Sequence, residues 1–564
     1  MTKRTGAHQL LDALAAQEVE FIFGYPGGAV LPIYDALYDY QKIKHILVRH
    51  EQGATHAAQG YTKVSGKPGV VLVTSGPGAT NAVTGIADAM SDSLPMIVLT
   101  GQVATSGIGK DSFQEADMLG ITMPITKYNY QIRAVEEIEK VVNEAFHLAT
   151  TGRMGPVVID IPKDLMAQLI ELEAPQKTPV SLPNYQPNRL PNPQQIKKVL
   201  EALSQAKRPL VLVGAGVSHA HATKELRAFI QHYQLPTLTT LLGLGVVAND
   251  DPLFLGMGGM HGSYAANMAL TECDLLLNFG SRFDDRLASS PSDFAPHAKI
   301  VHVDLDPAEI GKVVRVDIPL VADAKETLLA LNQADQLPQM DRKDWSETLA
   351  EYKLHYPFTY EASSDQIKPQ AVIETIGRLT NGEALVATDV GQHQMWVAQF
   401  YPFTSDHQLI TSGGLGTMGY GIPAAIGAQI AQPDRKVVIF VGDGGFQMTN
   451  QELILLKQYQ LPIKVILLNN HTLGMVHQWQ HTFFSDHYSE SEFEQQPNFV
   501  ALAKAYGLDA FTLSDPQTVE AQLAKAFDDP NAQVIEIIIP ASEEVLPMVP
   551  AGKANNQMIG VVRV

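Results

Sequence analysis

Short apolar runs that stop abruptly at glycine, proline or a polar residue recur along the chain, with helical-period segments between them. Gly69 to Thr74 reads GVVLVT, Met96 to Thr100 reads MIVLT and Val157 to Ile161 reads VVIDI; Leu210 to Val213, Leu275 to Phe279 and Ile300 to Val303 follow the same form. A strand that is apolar along nearly its whole length must be covered on both faces, as happens in parallel sheets flanked by crossover helices. Alternation with segments such as Val135 to Leu148 therefore predicts an α/β chain of doubly wound parallel sheets. At 564 residues the chain exceeds what one hydrophobic core supports, so several domains are expected.

Residues 175 to 196 hold six prolines and few apolar side chains, a composition that favours an extended crossing segment. Three domains are read from this break and from a polar stretch at about 333 to 365. They cover residues 1–180, 190–345 and 366–548, followed by a tail at 549–564. The first and third blocks read as distant versions of one unit. The N-terminus reads as an amphipathic helix leading into a strand, without the apolar run of a signal peptide, and no run of about 18 uncharged apolar residues predicts a membrane span. The single cysteine, Cys273, excludes an internal disulfide framework and fits a reducing compartment, so a cytoplasmic location is expected. Forty Lys and Arg against sixty Asp and Glu give a net charge of −20, which argues against general affinity for nucleic acid or anionic membranes.

Two strand ends carry the sharpest chemistry. VVIFVGDGG (437 to 445) ends on Gly442-Asp443-Gly444, and IKVILLNN (463 to 470) ends on Asn469-Asn470. Ligands of open α/β sheets bind beyond the carboxyl ends of strands, so both tips can reach one crevice. Glycine lets backbone approach a phosphate, while an Asp carboxylate and an Asn carbonyl are hard oxygen ligands suited to Mg²⁺. Taken separately, GDG also reads as a tight turn and NN as a helix cap.

Glu51, in Arg49-His50-Glu51-Gln52-Gly53-Ala54, stands where the apolar run HILV passes into a helix of small residues. It reads either as an active-site acid or as a first-turn acid favoured by the helix dipole. In Gly413 to Gly419 (GGLGTMG), Gly416 permits close backbone approach and Met418 is an adaptable apolar wedge, or core filling. In the middle block Gly214-Ala215-Gly216 follows a strand and could admit a pyrophosphate. GMGGMHG (256 to 262, with Gly258 and His261), SRFDDR (281 to 286, with Arg282 and Arg286) and HVDLDPAEIGK (302 to 312, with Asp304) add backbone donors, guanidinium groups and acids.

GDG with NN, preceded by RHEQGA (49 to 54) and GVVLVTSGPGATN (69 to 81), resembles the signature of thiamine-diphosphate enzymes. The resemblance implies Mg²⁺ held by the Asp443 and Asn470 side chains and the Thr472 carbonyl. It also implies thiamine diphosphate bordered by Pro77, Gly416, Met418, Gly442, Gly444, Gly445 and Met475. Glu51 would activate the cofactor across a subunit interface, making a homodimer or larger homo-oligomer the expected active form.

The middle segments resemble, in order, the FAD-binding segments of acetohydroxyacid synthases, where the flavin takes no part in net redox chemistry. GKDSFQE (109 to 115) resembles that family's loop in which Phe113 and Gln114 border the keto acid, and Lys163 would stand at the site entrance. LGMVHQWQ (473 to 480) supplies Met475, Val476 and Trp479 around the second substrate's alkyl group, and Arg286 would pair with its carboxylate. The resemblance extends to the tail PAGKANNQMI (550 to 559) and so spans nearly the whole chain. It implies the family's reaction: pyruvate is decarboxylated and its two-carbon unit joined to pyruvate or 2-ketobutyrate, giving 2-acetolactate or 2-aceto-2-hydroxybutyrate for branched-chain amino acids. Rival readings are a flavin-free catabolic acetolactate synthase, a pyruvate oxidase and an inactive assembly subunit. A small regulatory subunit and assembly beyond a dimer are left open.

Overall fold

The apolar runs form three six-stranded, all-parallel sheets in a computed structural model that describes residues 2–334 and 341–564. The first sheet holds β1 (Phe21–Tyr25), β2 (Lys44–Leu47), β3 (Gly69–Val73), β4 (Met96–Gln102), β5 (Tyr128–Gln131) and β6 (Pro156–Pro162). The second holds β7 (Pro209–Val213), β8 (Thr237–Thr239), β9 (Phe254–Met257), β10 (Leu275–Phe279), β11 (Lys299–Asp304) and β12 (Ile318–Val321). The third holds β13 (Leu385–Thr388), β14 (Leu409–Ile410), β15 (Val437–Gly442), β16 (Lys464–Asn469), β17 (Asp509–Leu513) and β18 (Gln533–Ile538). Strands β3, β4, β6, β7 and β10 are buried at every residue, as helices on both faces require.

Counted within each sheet, the first and third share the strand order 2-1-3-4-6-5, in keeping with their reading as one unit used twice. The middle sheet has the order 3-2-1-4-5-6, the arrangement of dinucleotide-binding folds, whose crevice lies between the ends of its first and fourth strands.

Two sequence expectations meet corrections. Thr2–Thr5, read as part of an amphipathic helix, is a strand paired antiparallel with Leu169–Leu172, and the helix begins only at Gly6. In the polar stretch from 333 to 365, residues 335–340 lie outside the described residues, and a helix spans Lys343–His355. Its polar composition hides two anchors: Trp345 and Leu349 are buried, and the Trp345 indole donates to the Pro209 carbonyl at 3.1 Å. The proline-rich segment has no helix or strand from 175 to 192 but ends in a helix that begins at Pro193, and it is pinned where the Tyr185 hydroxyl donates to the Thr151 carbonyl at 2.7 Å. Among the described residues no helix is long and apolar enough to cross a membrane.

The first and third sheets share a hydrophobic cluster built around the crossing of α1 (Glu51–Ser65) and α2 (Gly421–Ala431). The helices approach through glycine: a Cβ at Gly60 would lie 1.9 Å from the Ala424 carbonyl oxygen, and one at Gly427 would lie 1.8 Å from that of Ala57. Since α1 begins at Glu51, this crossing fixes where that carboxylate starts.

Candidate active site

Strands β15 and β16 are parallel neighbours, so both deliver their carboxyl ends to one edge of the third sheet. After Gly442 the chain turns into α3 (Asp443–Thr449), and α4 (Gly474–Phe483) begins shortly after Asn470. Asp443, Asn470 and Thr472 line a small cavity with Gly442, Gly444, Gly445, Met418, Met475 and Val476. A Cβ at Gly444 would come within 2.7 Å of Leu473 and 3.4 Å of the Met418 methyl, so a side chain there would fill the space.

Burial pushes the Asp443 carboxyl up to about 7, against hydrogen bonds that include one from the Gln496 amide. Asn470 is buried with its Oδ1 accepting from the Thr472 amide at 3.1 Å, and the buried Thr472 hydroxyl has no partner. A buried carboxylate beside amide and hydroxyl oxygens suits a hard divalent cation, whose charge would restore the ionised form.

Sequence reasoning missed the acids that hold the Met418 loop. Asp389, fully buried, accepts from the amides of Gly419 (3.0 Å) and Gly421 (2.9 Å), and burial raises its pKa against those bonds. A Cβ at Gly445 would strike its Oδ1 at 2.2 Å, giving that glycine a packing reason of its own. Asp389 had a readable signal: it directly follows β13, as Asp443 follows β15. Asp92 of the first domain accepts from Gly413 (3.2 Å) and Gly414 (2.7 Å), a contact between residues too far apart in sequence to be read from a pattern.

On the first domain, Glu51 is mostly buried and its Oε2 accepts from Asn81 Nδ2 at 2.9 Å; Pro77 opens the short helix Pro77–Asn81 that carries this partner. Phe113 is 88% exposed, Gln114 sits in the left-handed region at φ 60°, and Lys163 is exposed at the start of the helix Lys163–Ala167. Neither the small cavity nor the large cavity described next takes a wall from Glu51, Pro77, Phe113, Gln114 or Lys163.

The large cavity, of about 1050 Å³, opens where β7 and β10 end. Gly214, Gly216, Gly258, His261, Arg282 and Asp304 line it from the middle domain. Gly416, Met418, Met475, Val476 and Trp479 line it from the third. Burial holds His261 down at about 4, so its ring is neutral. Arg286 joins them, with its guanidinium 5.9 Å over the Trp479 ring. The turn at Gly214 differs from an open cradle. Its amide donates to Phe279 O at 2.9 Å and that of Gly216 to Gly280 O at 3.1 Å, so close packing of two backbones accounts for both glycines. The tail docks beside Arg286: Val549 N donates to Met260 O at 2.7 Å and Asn555 Nδ2 to Leu287 O at 3.1 Å.

Three α/β domains with an acid and an amide at adjacent strand ends of the third define the class, the thiamine pyrophosphate enzymes. Residues 4–121 match the family description "Thiamine pyrophosphate enzyme, N-terminal TPP binding domain", 196–331 its central domain and 389–537 its C-terminal TPP binding domain. The chain is 53% identical over 558 residues to the acetolactate synthase large subunit of Lactococcus lactis, covering 99% of this chain and 96% of the relative. It is 45% identical over 564 residues to that of Haemophilus influenzae (99% and 98%) and 44% over 566 to the isozyme 3 large subunit of Escherichia coli (99% and 99%). The chain belongs to the acetolactate synthase large subunits.

Proposed function

We propose that the chain decarboxylates pyruvate on thiamine diphosphate and transfers the two-carbon unit to pyruvate or 2-ketobutyrate, in branched-chain amino-acid biosynthesis in the cytoplasm. One observation carries this reading: the metal cavity and the cavity holding Arg286 and Trp479 share Met418, Met475 and Val476 as walls. Cofactor and acceptor sites would thus adjoin across three side chains.

Thiamine diphosphate, when bound, supplies an acidic ring carbon that adds to a 2-keto acid and a cationic ring that accepts the electron pair as CO₂ leaves. The chain's residues do the rest. Asp443, Asn470 and the Thr472 carbonyl would hold Mg²⁺ against the diphosphate, with Gly442, Gly444 and Gly445 leaving it room. Met418 would support the cofactor, and Asp389 holds the loop that carries Met418. Glu51 would exchange a proton with a pyrimidine ring nitrogen. Arg286 offers a guanidinium fork to the acceptor's carboxylate, and the Trp479 indole limits its alkyl group. Gln114 and Phe113 would border the keto acid, with Lys163 at the entrance.

Because one chain leaves Glu51 outside both cavities, the reading includes a homodimer in which each first domain completes the partner's site. FAD is assigned to the middle-domain cavity on its strand order and its walls, without net electron flow through it. Domain limits at 1–180, 190–345 and 366–548, with a tail at 549–564, belong to the same reading.

Product analysis with pyruvate and 2-ketobutyrate together, omitting thiamine diphosphate, Mg²⁺ or FAD in turn, tests it. Both acetohydroxy acids should form, and each omission should abolish them. Full activity without flavin would move the chain to the flavin-free catabolic type, and peroxide released in step with CO₂ would make it an oxidase. Trp479→Leu should cut the preference for 2-ketobutyrate by about 5- to 100-fold, since one methylene in such a pocket is worth about 1–3 kcal/mol. An unchanged product ratio in competition would remove Trp479 from this role.

A further inference from the structure

The segment just before Glu51 is held by the third domain of its own chain. Both carboxylate oxygens of Glu452 accept from the Arg49 amide at 3.0 Å. Two further contacts join the same segments: Leu47 N donates to the Tyr459 hydroxyl at 2.8 Å, and the Arg49 guanidinium donates to Gln458 Oε1 at 2.8 Å. Glu452 is fully buried, and a Cβ at Gly53 would lie 2.7 Å from its Oε1, so the first turn of α1 closes directly over the carboxylate.

Surface packing alone does not call for a buried acid here. Taking a carboxyl out of water is costly, and burial raises this one to about 7 despite the amides that favour its ionised form. What the position offers is direction. A backbone amide held by both oxygens of one fixed carboxylate, two residues before Glu51, sets the path of the chain into α1. Glu452 itself follows α3, the helix that begins with Asp443, so the strut runs from the metal pocket's helix to the start of α1.

We infer that Glu452 is a positioning residue for Glu51, holding the Arg49 amide and packing under Gly53 so that the Glu51 carboxylate is presented at a fixed place. The inference rests on the reading of Glu51 as the cofactor-activating acid. Because Glu51 and Glu452 lie on one chain, each copy's activating acid is braced by the third domain of the same copy, even where it serves a neighbour's cofactor.

Deuterium exchange at the acidic ring carbon of thiamine diphosphate, bound with Mg²⁺ to the full-length protein, reads the activating acid directly. Amide hydrogen exchange of residues 46–55 in cofactor-free protein reads the strut. Glu452→Ala should slow the ring exchange by about ten-fold or more and speed exchange of the residue 49 amide by at least as much. Glu452→Gln keeps the side chain's size and one acceptor oxygen, so it should fold and show a smaller shift of the same kind. In a Glu51→Gln background, Glu452→Gln should change ring exchange by less than about two-fold, since a residue acting only through Glu51 has nothing left to position. Normal ring exchange in both Glu452 variants, beside a Glu51→Gln that has lost it, overturns the positioning role and leaves Glu51 in place. A full further loss in the double variant also overturns it. Normal exchange in Glu51→Gln alone instead removes the underlying reading.

Discussion

Glu51→Gln is expected to lower pyruvate turnover by about two to four orders of magnitude, the usual worth of a positioned proton-transferring group, while thiamine diphosphate still binds. The substitution keeps the side chain's length, and its amide oxygen can still accept from Asn81 Nδ2, which lies 2.9 Å from Glu51 Oε2. It removes the capacity to take up and return a proton at a ring nitrogen. Because Glu51 is mostly buried, water has little access to replace it. Turnover is read from CO₂ release, and binding from calorimetric titration with the cofactor and Mg²⁺. The two should separate, because Asp443, Asn470 and Thr472 lie in a cavity that takes no wall from Glu51. Turnover within about two-fold of the parent would take Glu51 out of the chemistry.

Most of what the fold needs was legible along the chain, because a doubly wound sheet writes its strands as runs that are apolar on both faces. Leu275–Phe279 coincides with its run, while Gly69–Val73 differs from its run by one residue at one end and Pro156–Pro162 by one residue at each end, where hydrogen bonding rather than hydropathy decides. The grouping of Asp443 and Asn470 around one small cavity was legible for a related reason: both directly follow strands, and neighbouring parallel strands bring such residues together whatever lies between them. Thr2–Thr5 was not legible, since a polar edge strand lacks the apolar run, and Lys343–His355 hid behind a surface with only Trp345 and Leu349 buried. Glu452 and Asp92 form a third category. Each is an acid that accepts from backbone amides of another domain, and no local pattern distinguishes such an acid from one on a solvated face. The glycines of Gly214-Ala215-Gly216 show the converse: a motif resembling a ligand cradle is explained in part by two strands' ends packing together.

Gly427→Ala and Gly60→Ala should each destabilise the protein by about 2 kcal/mol or more, although alanine is the better helix former. The gain in helix propensity is about 1 kcal/mol at most, because both glycines lie inside regular helices. Against it stands a collision with a main chain. The new methyl would sit 1.8 Å from the Ala57 carbonyl oxygen in one case and 1.9 Å from that of Ala424 in the other. Ordinary carbon contacts are about 3.5–4.0 Å, so α1 and α2 must separate by more than an ångström across a fully buried seam. Overpacking of this kind costs about 1–3 kcal/mol when side chains can yield and more when, as here, the obstacle is hydrogen-bonded backbone. The contacts are reciprocal, so once one methyl has parted the helices the second has less to displace. The double variant should therefore lose less than the sum of the single losses by about 0.5 kcal/mol or more, as read from denaturant unfolding midpoints. Turnover should fall in each single variant that remains folded, because α1 begins with Glu51 and its separation from α2 shifts that carboxylate relative to Glu452. Single variants as stable as the parent, or losses that simply add, would show that the helices do not cross at this distance.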